Sequence, residues 1–344
     1  MKKLGMLGII SLGVFAVCVC VHSGVTNAAG AGGYKVSGKI PVAGEGGWDY
    51  LVVDEAARCL YLSHATHVVV YDVDSHAVVG DIPDTQGVHG IALADDLGKG
   101  FVSSGRANSV TIFDLKTLKT LGTAPTGTNP DAILYEPVSK HVFAFNGRSH
   151  DATVIDAATG KVLSTFAVGG KPEFAAADGK GSVYVNVEDT SEILHIDGQK
   201  MTVLHRWPLA PCKEPSGLAM DMESRRLFAV CDNEMMAVVN ADTGKVVATP
   251  KIGEGPDAAA FDPGTKEAFS SNGETGTLTV IHEDSPDKYT VVENVPTKKS
   301  ARTMALDLKT HTLYLPAAEM VPPGPGQKWP SPKPGTMHLL IVSK

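Results

Sequence analysis

The sequence predicts an all-β fold, a seven-bladed β-propeller, from its repeat and its composition. A related segment recurs in steps of 40, 42, 42, 43, 41 and 45 residues, a period typical of one four-stranded blade. The 344 residues include 36 Gly and 21 Pro, which favours many turns between short strands over long helices. We therefore expect one large repeat domain. The recurring positions are Trp48, Val88, Pro130, Pro172, Pro215, Pro256 and Ala301.

One repeat unit shows how the four strands of a blade are arranged. Alternation and turn residues assign "DAAAFDP" to the innermost strand, "EAFSSN" to the second, "GTLTVIHED" to the third and "KYTVVENV" to the outermost. Seven segments of the second-strand type predict seven blades: "CLYLSH", "GFVSSG", "HVFAFNG", "SVYVNV", "RLFAVCD", "EAFSSNG" and "TLYLPA". The predicted blades span residues 47–86, 87–128, 129–170, 171–213, 214–254, 255–299 and 300–344.

The seventh repeat lacks an outer strand, because it stops after its third strand "TMHLLIVSK". The segment "YKVSGKIPVAGEGG" near the other end of the chain matches the outer-strand segment "GKVVATPKIGEG". We expect residues 34–44 to pair with the last blade, which would remove an exposed sheet edge and close the ring. Residues 34–344 are then a single domain.

The N-terminal segment 1–28 reads as an export signal. Lys2 and Lys3 precede an apolar run from residue 4 to 21, and Thr26 and Ala28 in a small-residue stretch fit a cleavage site. An uncleaved anchor is the alternative, because the run is about as long as the ~18 residues that begin to span a membrane. The predicted location is periplasmic or secreted, with no membrane span in the mature chain.

Charge and cysteine content limit the possible partners. A formal net charge of −8 and the lack of a basic stripe argue against nucleic-acid binding. Cys212 in the loop entering blade 5 and Cys231 at the end of its second strand should reach the same face of one blade. We predict a disulfide between them, provided that their Cα atoms lie about 4.4–6.8 Å apart. Cys59 is predicted to be a buried thiol on the opposite face.

The strand motifs carry a family resemblance. "LYLSH", "VFAFN", "LFAVC" and "AFSSN", followed by "VTIFDLKT", "ATVIDAATGKV" and "LTVIHED", resemble the YVTN-type β-propeller repeat of bacterial exported YncE-like proteins. The resemblance covers about residues 34–344, and it departs from WD40 repeats by lacking a Trp-Asp ending. It implies an exported seven-bladed propeller. It implies little about chemistry, because propellers host unrelated functions.

A ring of polar residues is expected around the mouth of the central channel, one from the entry of each inner strand. Four carboxylates on one ring should repel one another and raise some pKa values unless cations offset them. Ordinary turn geometry is the alternative explanation for any one acid. The predicted ring consists of Asp49, His89, Asp131, Glu173, Ser216, Asp257 and Arg302.

The ends of the second strands supply a second group of candidates on the same face. His64, Asn146 and Asn272 are predicted to face the channel mouth, and the matching Arg106 and Arg148, together with Arg302, could clamp a carboxylate or phosphate. Solvated charge is the alternative for both arginines. No cofactor is expected, but a divalent metal is possible, with His64, His89, Asp49 and Asp131 as candidate ligands.

The Pro-rich segment from residue 321 to 335 interrupts blade 7 on this face. Extended polyproline geometry cannot join a sheet, so the segment is predicted to lie across the channel mouth as a flap or to be a loose surface insertion. Trp329 within it is a candidate contact for a ligand or partner.

Two function classes remain open. We favour a monomeric, non-catalytic binding or scaffold propeller that recognises a small ligand or an envelope partner over the acid-lined face. The alternative is a metal-assisted enzyme of the lactonase or lyase sort, which needs a general acid or base and an open metal position. No G-x-S-x-G, H-E-x-x-H or P-loop motif fixes a catalytic role.

Overall fold

The computed structural model describes Met1, residues 33–324 and residues 330–344. Residues from Gly33 to Lys344 form one compact unit. Apart from Met1, the predicted export signal at residues 1–28 lies outside the described residues. Within the described part of the chain, no helix has the length and apolar character needed to cross a membrane.

The described residues form thirty strands, β1 to β30, and two short 3₁₀ turns at Asp95–Leu97 and Gly105–Ala107. After β1 (Lys35–Pro41), blades 1 to 3 comprise β2 (Trp48–Asp54), β3 (Cys59–His64), β4 (His67–Asp72), β5 (Val78–Ile82), β6 (Val88–Ala94), β7 (Lys99–Ser104), β8 (Ser109–Asp114), β9 (Thr120–Pro125), β10 (Pro130–Glu136), β11 (His141–Asn146), β12 (Asp151–Asp156) and β13 (Val162–Ala167).

Blades 4 to 6 comprise β14 (Pro172–Ala177), β15 (Ser182–Val187), β16 (Glu192–Asp197), β17 (Thr202–Pro208), β18 (Pro215–Asp221), β19 (Arg226–Cys231), β20 (Met235–Asn240), β21 (Val246–Ala248), β22 (Pro256–Asp262), β23 (Glu267–Asn272), β24 (Thr277–Ser285) and β25 (Lys288–Pro296). The remaining strands are β26 (Ala305–Asp307), β27 (Thr312–Ala317), β28 (Met320–Val321), β29 (Ser331–Pro332) and β30 (His338–Ser343).

The seven-bladed prediction is confirmed. Each of the first six blades is an antiparallel sheet of four consecutive strands, and the seventh has the order β26–β27–β30–β1. The N-terminal β1 pairs with β30, for example Ile40 with Leu339 and Lys39 with Leu340. The chain therefore closes its own ring, as the missing strand of the seventh repeat predicted.

Burial explains why the second and third strands are so apolar. Every residue of β11, β19 and β23 is buried, because each blade is covered on both faces by its neighbours. Separate apolar clusters lie between adjacent sheets, and one of them joins blade 1 to blade 7 through Leu60, Tyr71, Tyr314 and Leu339. The outer strands are mostly exposed, as in β13.

A recurrent charged contact links neighbouring blades on the face opposite the predicted ring. The residue before each second strand has a positive φ, and in five blades it is basic and contacts an acid at or just after the end of the preceding blade's inner strand. The pairs are Arg58–Asp307, Lys140–Asp96, Arg225–Asp178, Lys266–Asp221 and His311–Asp262. We call them the interblade latches. The sequence reading did not identify them.

We predict that the stability of the ring depends on β1. Ile40 is buried against the apolar cluster between blades 7 and 1, whereas Lys39 beside it is exposed. Ile40→Ala should lower the free energy of unfolding by about 2–4 kcal/mol, measured by urea denaturation, and the control Lys39→Ala should change it by less than about 0.5 kcal/mol. Removing residues 34–44 should also abolish the hydrogen-exchange protection that β30 amides gain from β1. Unchanged stability in Ile40→Ala would contradict closure by this strand.

Candidate functional site

A repeated irregularity positions the ring residues. In six inner strands the pairing register shifts directly after the first residue, as between Trp48 and Leu51 in β2. Such bulges bend a strand and redirect a side chain. The shifted residues include Asp49, His89 and Asp131, and their side chains meet at one end of the channel.

The structure brings five of the seven predicted ring residues into one chain of alternating charge. His89 Nδ1 lies 2.6 Å from Asp49 Oδ2 and 3.7 Å from Asp131 Oδ1. Arg302 Nη2 lies 3.5 Å from Asp49 Oδ1, and Arg302 Nη1 forms an ion pair with Asp257. The order across blades 3, 2, 1, 7 and 6 is thus acid, base, acid, base, acid. Each carboxylate has a cation beside it.

The other two ring residues have different partners. Glu173 forms an ion pair with Lys171 at 2.5 Å, and Lys171 also contacts Glu188. Ser216 Oγ donates a hydrogen bond to the carbonyl of Pro256 at 3.0 Å, so this hydroxyl joins blade 5 to blade 6. Ser216 therefore makes a bond between blades, and its predicted ligand contact stays a prediction.

Burial and neighbouring charges both shift the pKa values of the ring residues. Burial opposes the charge on His89, but the bond to Asp49 and the Asp131 carboxylate outweigh it and raise the pKa of His89 to about 9. Burial alone would raise the pKa of Asp49, yet His89 and Arg302 hold it below its usual range. Burial and the nearby Asp131 raise the pKa of Glu173 to about 8. Ring carboxylates therefore differ in charge at neutral pH.

Two aromatic side chains on non-adjacent blades contact each other next to the polar ring. Tyr50 of blade 1 and Phe174 of blade 4 lie on non-adjacent blades, and their ring centroids are 4.5 Å apart. Burial, followed by the nearby carboxylates of Asp131 and Glu173, raises the pKa of Tyr50 well above its usual value, so its phenol stays neutral. This contact joins blade 1 to blade 4 directly.

A cavity of about 780 Å³, which we call the cup, opens at this face beside blades 6, 7 and 1. Its wall combines charged groups with apolar side chains from the ring, the neighbouring loops and the ends of the Pro-rich segment. The cavity is lined by Gly47, Trp48, His89, Gly255, Pro256, Asp257, Gly273, Glu274, Lys299, Ser300, Arg302, Met320, Pro330 and Pro332.

The Pro-rich segment differs from its prediction at its ends. Met320–Val321 pairs with Ser331–Pro332 in a two-residue antiparallel ladder, so proline did not exclude the segment from sheet pairing. Pro332 contributes at the end of a strand, where a missing backbone donor is tolerated. Trp329 lies outside the described residues, and the flap prediction for residues 325–329 stays a prediction.

Three second-strand residues are placed inside their blades. Asn146 is buried and donates to Asp151 at 2.6 Å and Thr153 at 3.0 Å, and Asn272 is buried and donates to Thr279 at 2.9 Å. His64 is fully buried, its ring packs against His67, and burial lowers its pKa. All three side chains are thus buried, and the expectation that they contribute to a ligand site at the channel mouth stays a prediction.

Arg106 and Arg148 are exposed, as expected, but they do not converge on the cavity. Neither forms an ion pair with any residue that the structure describes. Of the three arginines, Arg302 lines the cavity, and the clamp stays a prediction. Lys299, Glu274 and Trp48 were missed as cavity residues, although the charged pair Lys298–Lys299, a few residues before the seventh inner strand, was a usable signal for Lys299.

The predicted disulfide is confirmed. Cys212 and Cys231 are bonded, their Cα atoms are 5.6 Å apart, and both side chains are buried. The bond ties the loop entering blade 5 to the end of that blade's second strand. Cys59 is a partly buried free thiol whose pKa burial raises, in keeping with a structural role.

Comparison with known proteins identifies the fold class alone. No protein-family model matches the sequence, and no curated protein matches it. A chain of hydrazine synthase from Kuenenia stuttgartiensis superposes with a TM-score of 0.68 and 16% identity, covering 80% of this chain and 94% of that one. The WD40 repeats of RRP9 give 0.76 and 9%, covering 90% and 98%. A mitotic checkpoint complex chain gives 0.75 and 13%, covering 97% and 99%.

These similarities place the chain among the seven-bladed β-propellers, a fold commonly used for scaffolding or binding. At such low identity they carry no statement about ligand or chemistry.

We predict that His89 stays protonated well above neutral pH. Its imidazole signal in EDTA-treated protein, assigned by its loss in His89→Gln, should titrate with a pKa of about 9. Because the folded pKa exceeds the ordinary 6.5, this residue's contribution to stability is complete below pH ~6.5 and is lost as pH rises toward 9. Asp49→Asn should bring the pKa back toward 6.5. A pKa near 6.5 in the unmodified protein would contradict the ion-paired geometry.

Proposed function

We propose that this protein is an exported, non-catalytic propeller that binds a small ligand, or a peptide segment of an envelope partner, in the cup at the ring face. The cavity of about 780 Å³ beside Arg302 is the observation that carries the proposal. Ligand sites of drug-sized molecules have volumes of about 300–1,000 Å³ and combine apolar walls with a few placed polar groups. This cavity fits that description.

The lining groups indicate the chemistry of the ligand. The wall carries both signs of charge: Arg302 and Lys299 are cationic, and Asp257, which pairs with Arg302, and Glu274 are anionic. Trp48, Met320 and the prolines add apolar surface. A zwitterionic molecule with an apolar body, such as an amino acid or short peptide, complements both signs of charge and the apolar wall.

Export and a YncE-like origin are part of the proposal. The N-terminal pattern of lysines, apolar run and small residues supports export. A buried disulfide is typical of proteins in an oxidising compartment. The motifs that resemble the YVTN-type repeat coincide with second strands, for example "LYLSH" with β3 and "VFAFN" with β11. Regular use of one motif at one strand position supports descent from such a repeat.

A metal-assisted lactonase-like or lyase-like enzyme is the second candidate. One observation favours it: Asp49, His89 and Asp131 bring two carboxylates and an imidazole together at the edge of the cup. A catalytic metal needs protein ligands on one side and an open position toward the substrate. A metal at these residues would face the same space as the proposed ligand.

The binding proposal predicts ligand stabilisation that depends on Arg302. Thermal unfolding should be measured in EDTA with a panel of amino acids and di- to tetrapeptides. At a concentration 100 times its Kd, a ligand stabilises the folded state by about 2.7 kcal/mol. We expect at least one zwitterionic compound to raise Tm in the unmodified protein but not in Arg302→Met, each compared with its own ligand-free Tm.

Arg206→Met is the matched control, because Arg206 lies on blade 4 and its side chain is 39% exposed against 42% for Arg302. It should retain the shift. A panel without any shift, or a hit that stabilises Arg302→Met as much as the unmodified protein, would reject the cup as the binding site.

A further inference from the structure

We propose that Asp49, His89 and Asp131 bind one divalent transition-metal ion at the channel mouth. Within the described residues, they form the one group of three His, Cys, Asp or Glu side chains whose ligand atoms all lie within 4.8 Å of one another. The inference goes beyond the proposed ligand cup, since the site needs neither Arg302 nor an organic ligand. The two sites share His89, which also lines the cavity, whereas Asp49 and Asp131 are not among the residues that line it.

The distances suit a single ion with small side-chain adjustments. Asp49 Oδ2 and Asp131 Oδ1 lie 2.6 and 3.7 Å from the same nitrogen, Nδ1 of His89. Ligand atoms at 2.0–2.2 Å from a metal are about 3.3–3.6 Å apart in tetrahedral geometry. The separation of Asp49 Oδ2 from His89 Nδ1 must therefore widen by about 0.7–1 Å, and that of Asp131 Oδ1 must shorten by about 0.1–0.4 Å. Both are ordinary rotations of a short side chain.

The backbone that carries the three ligands is held in place by serines of the second strands. Asp49 N–H donates to Ser63 Oγ at 2.9 Å, and Gly90 N–H donates to Ser103 Oγ at 2.7 Å. Ser103 Oγ in turn donates to the carbonyl of Asp131 at 2.5 Å, which fixes blade 2 against blade 3 beside the site. Rigid support of this kind lowers the cost of organising ligands around an ion.

Asp131 has the longest ion pair of the ring carboxylates. Its side chain is 16% exposed, and within the described residues its carboxylate accepts no hydrogen bond and has His89 at 3.7 Å as its nearest cation. Its oxygens keep contact with solvent, so their lone pairs are free to coordinate an ion. A metal ion between Asp131, His89 and Asp49 would give this carboxylate a closer cation.

The ligand set selects the kind of metal. Imidazole nitrogen favours Zn²⁺ and related first-row ions, whereas sites for Mg²⁺ and Ca²⁺ are built from oxygen. Nδ1 of His89 lies between the two carboxylates, and it must be unprotonated to bind an ion. Arg302, 3.5 Å from Asp49, is neutralised by Asp257 and so opposes the ion only weakly.

Calorimetric titration of the EDTA-treated, dialysed protein with Zn²⁺ tests the site. We expect one zinc ion per chain, binding at least about tenfold more tightly than Mg²⁺. Asp131→Asn and His89→Gln should each weaken zinc binding by about tenfold or more. In the unmodified protein, zinc should also shift the imidazole signal of His89, a change that a purely structural role would not produce.

Asp232→Asn is the matched control, because Asp232 is an exposed acid at the end of a second strand outside the group, and it should bind zinc like the unmodified protein. Asp131→Asn removes no hydrogen bond and should keep the fold, which circular dichroism would verify. Absence of zinc binding, equal affinity for Mg²⁺, or unchanged zinc affinity in both variants would overturn the site. The EDTA-buffered peptide panel is unaffected by any of these results, so failure here leaves the binding cup to be judged separately.

Discussion

The junction of blade 7 with blade 1 is the constraint on which the rest of the structure depends. Each inner strand reaches the channel only if the ring is closed, and blade 7 lacks a fourth strand until β1 pairs with β30. A buried ion pair supports this junction on one face, where Arg58 donates to both oxygens of Asp307 at 2.8 and 2.7 Å. On the other face Arg302 reaches from blade 7 to Asp49 of blade 1. Closure of the ring thus combines strand pairing within blade 7 with ion pairs between blade 7 and blade 1.

Closure also determines what the ring face can do. It places Asp49 between His89 and Arg302, so that a carboxylate from the first blade is shared by cations from the second and the last. Without closure the two cations would lie on opposite ends of an open arc. The proposed cup, beside blades 6, 7 and 1, also spans the junction. The proposed ligand site and the closure of the ring therefore share the junction of blades 7 and 1.

The position of each residue along its strand could be predicted from the sequence, but the burial and hydrogen-bond partners of its side chain could be predicted less well. A repeat of about 42 residues locates each inner-strand entry, and the bulges then direct Asp49 and His89 into the ring. The same alignment could not show that the Asn146 and Asn272 side chains donate hydrogen bonds to threonines of the third strands. A residue's position in the repeat gives its place along a strand, but it does not give the residue with which its side chain forms a hydrogen bond. The interblade latches were visible as basic residues before second strands, but their acids lie a blade away and only the folded ring pairs them.

Urea unfolding of Arg58→Met tests the central claim most directly. Side-chain exposure is 12% for Arg58 and 0% for Asp307, so loss of the arginine leaves a buried carboxylate without a counter-ion. Its remaining hydrogen bonds from Lys309 N–H and Thr310 Oγ carry no charge, so the loss should cost about 3 kcal/mol or more. Lys140→Met, in the equivalent but exposed latch with Asp96, should cost less than about 1 kcal/mol. A loss of stability in Arg58→Met no larger than in Lys140→Met would contradict the account, because the closing junction would then be energetically no different from any other.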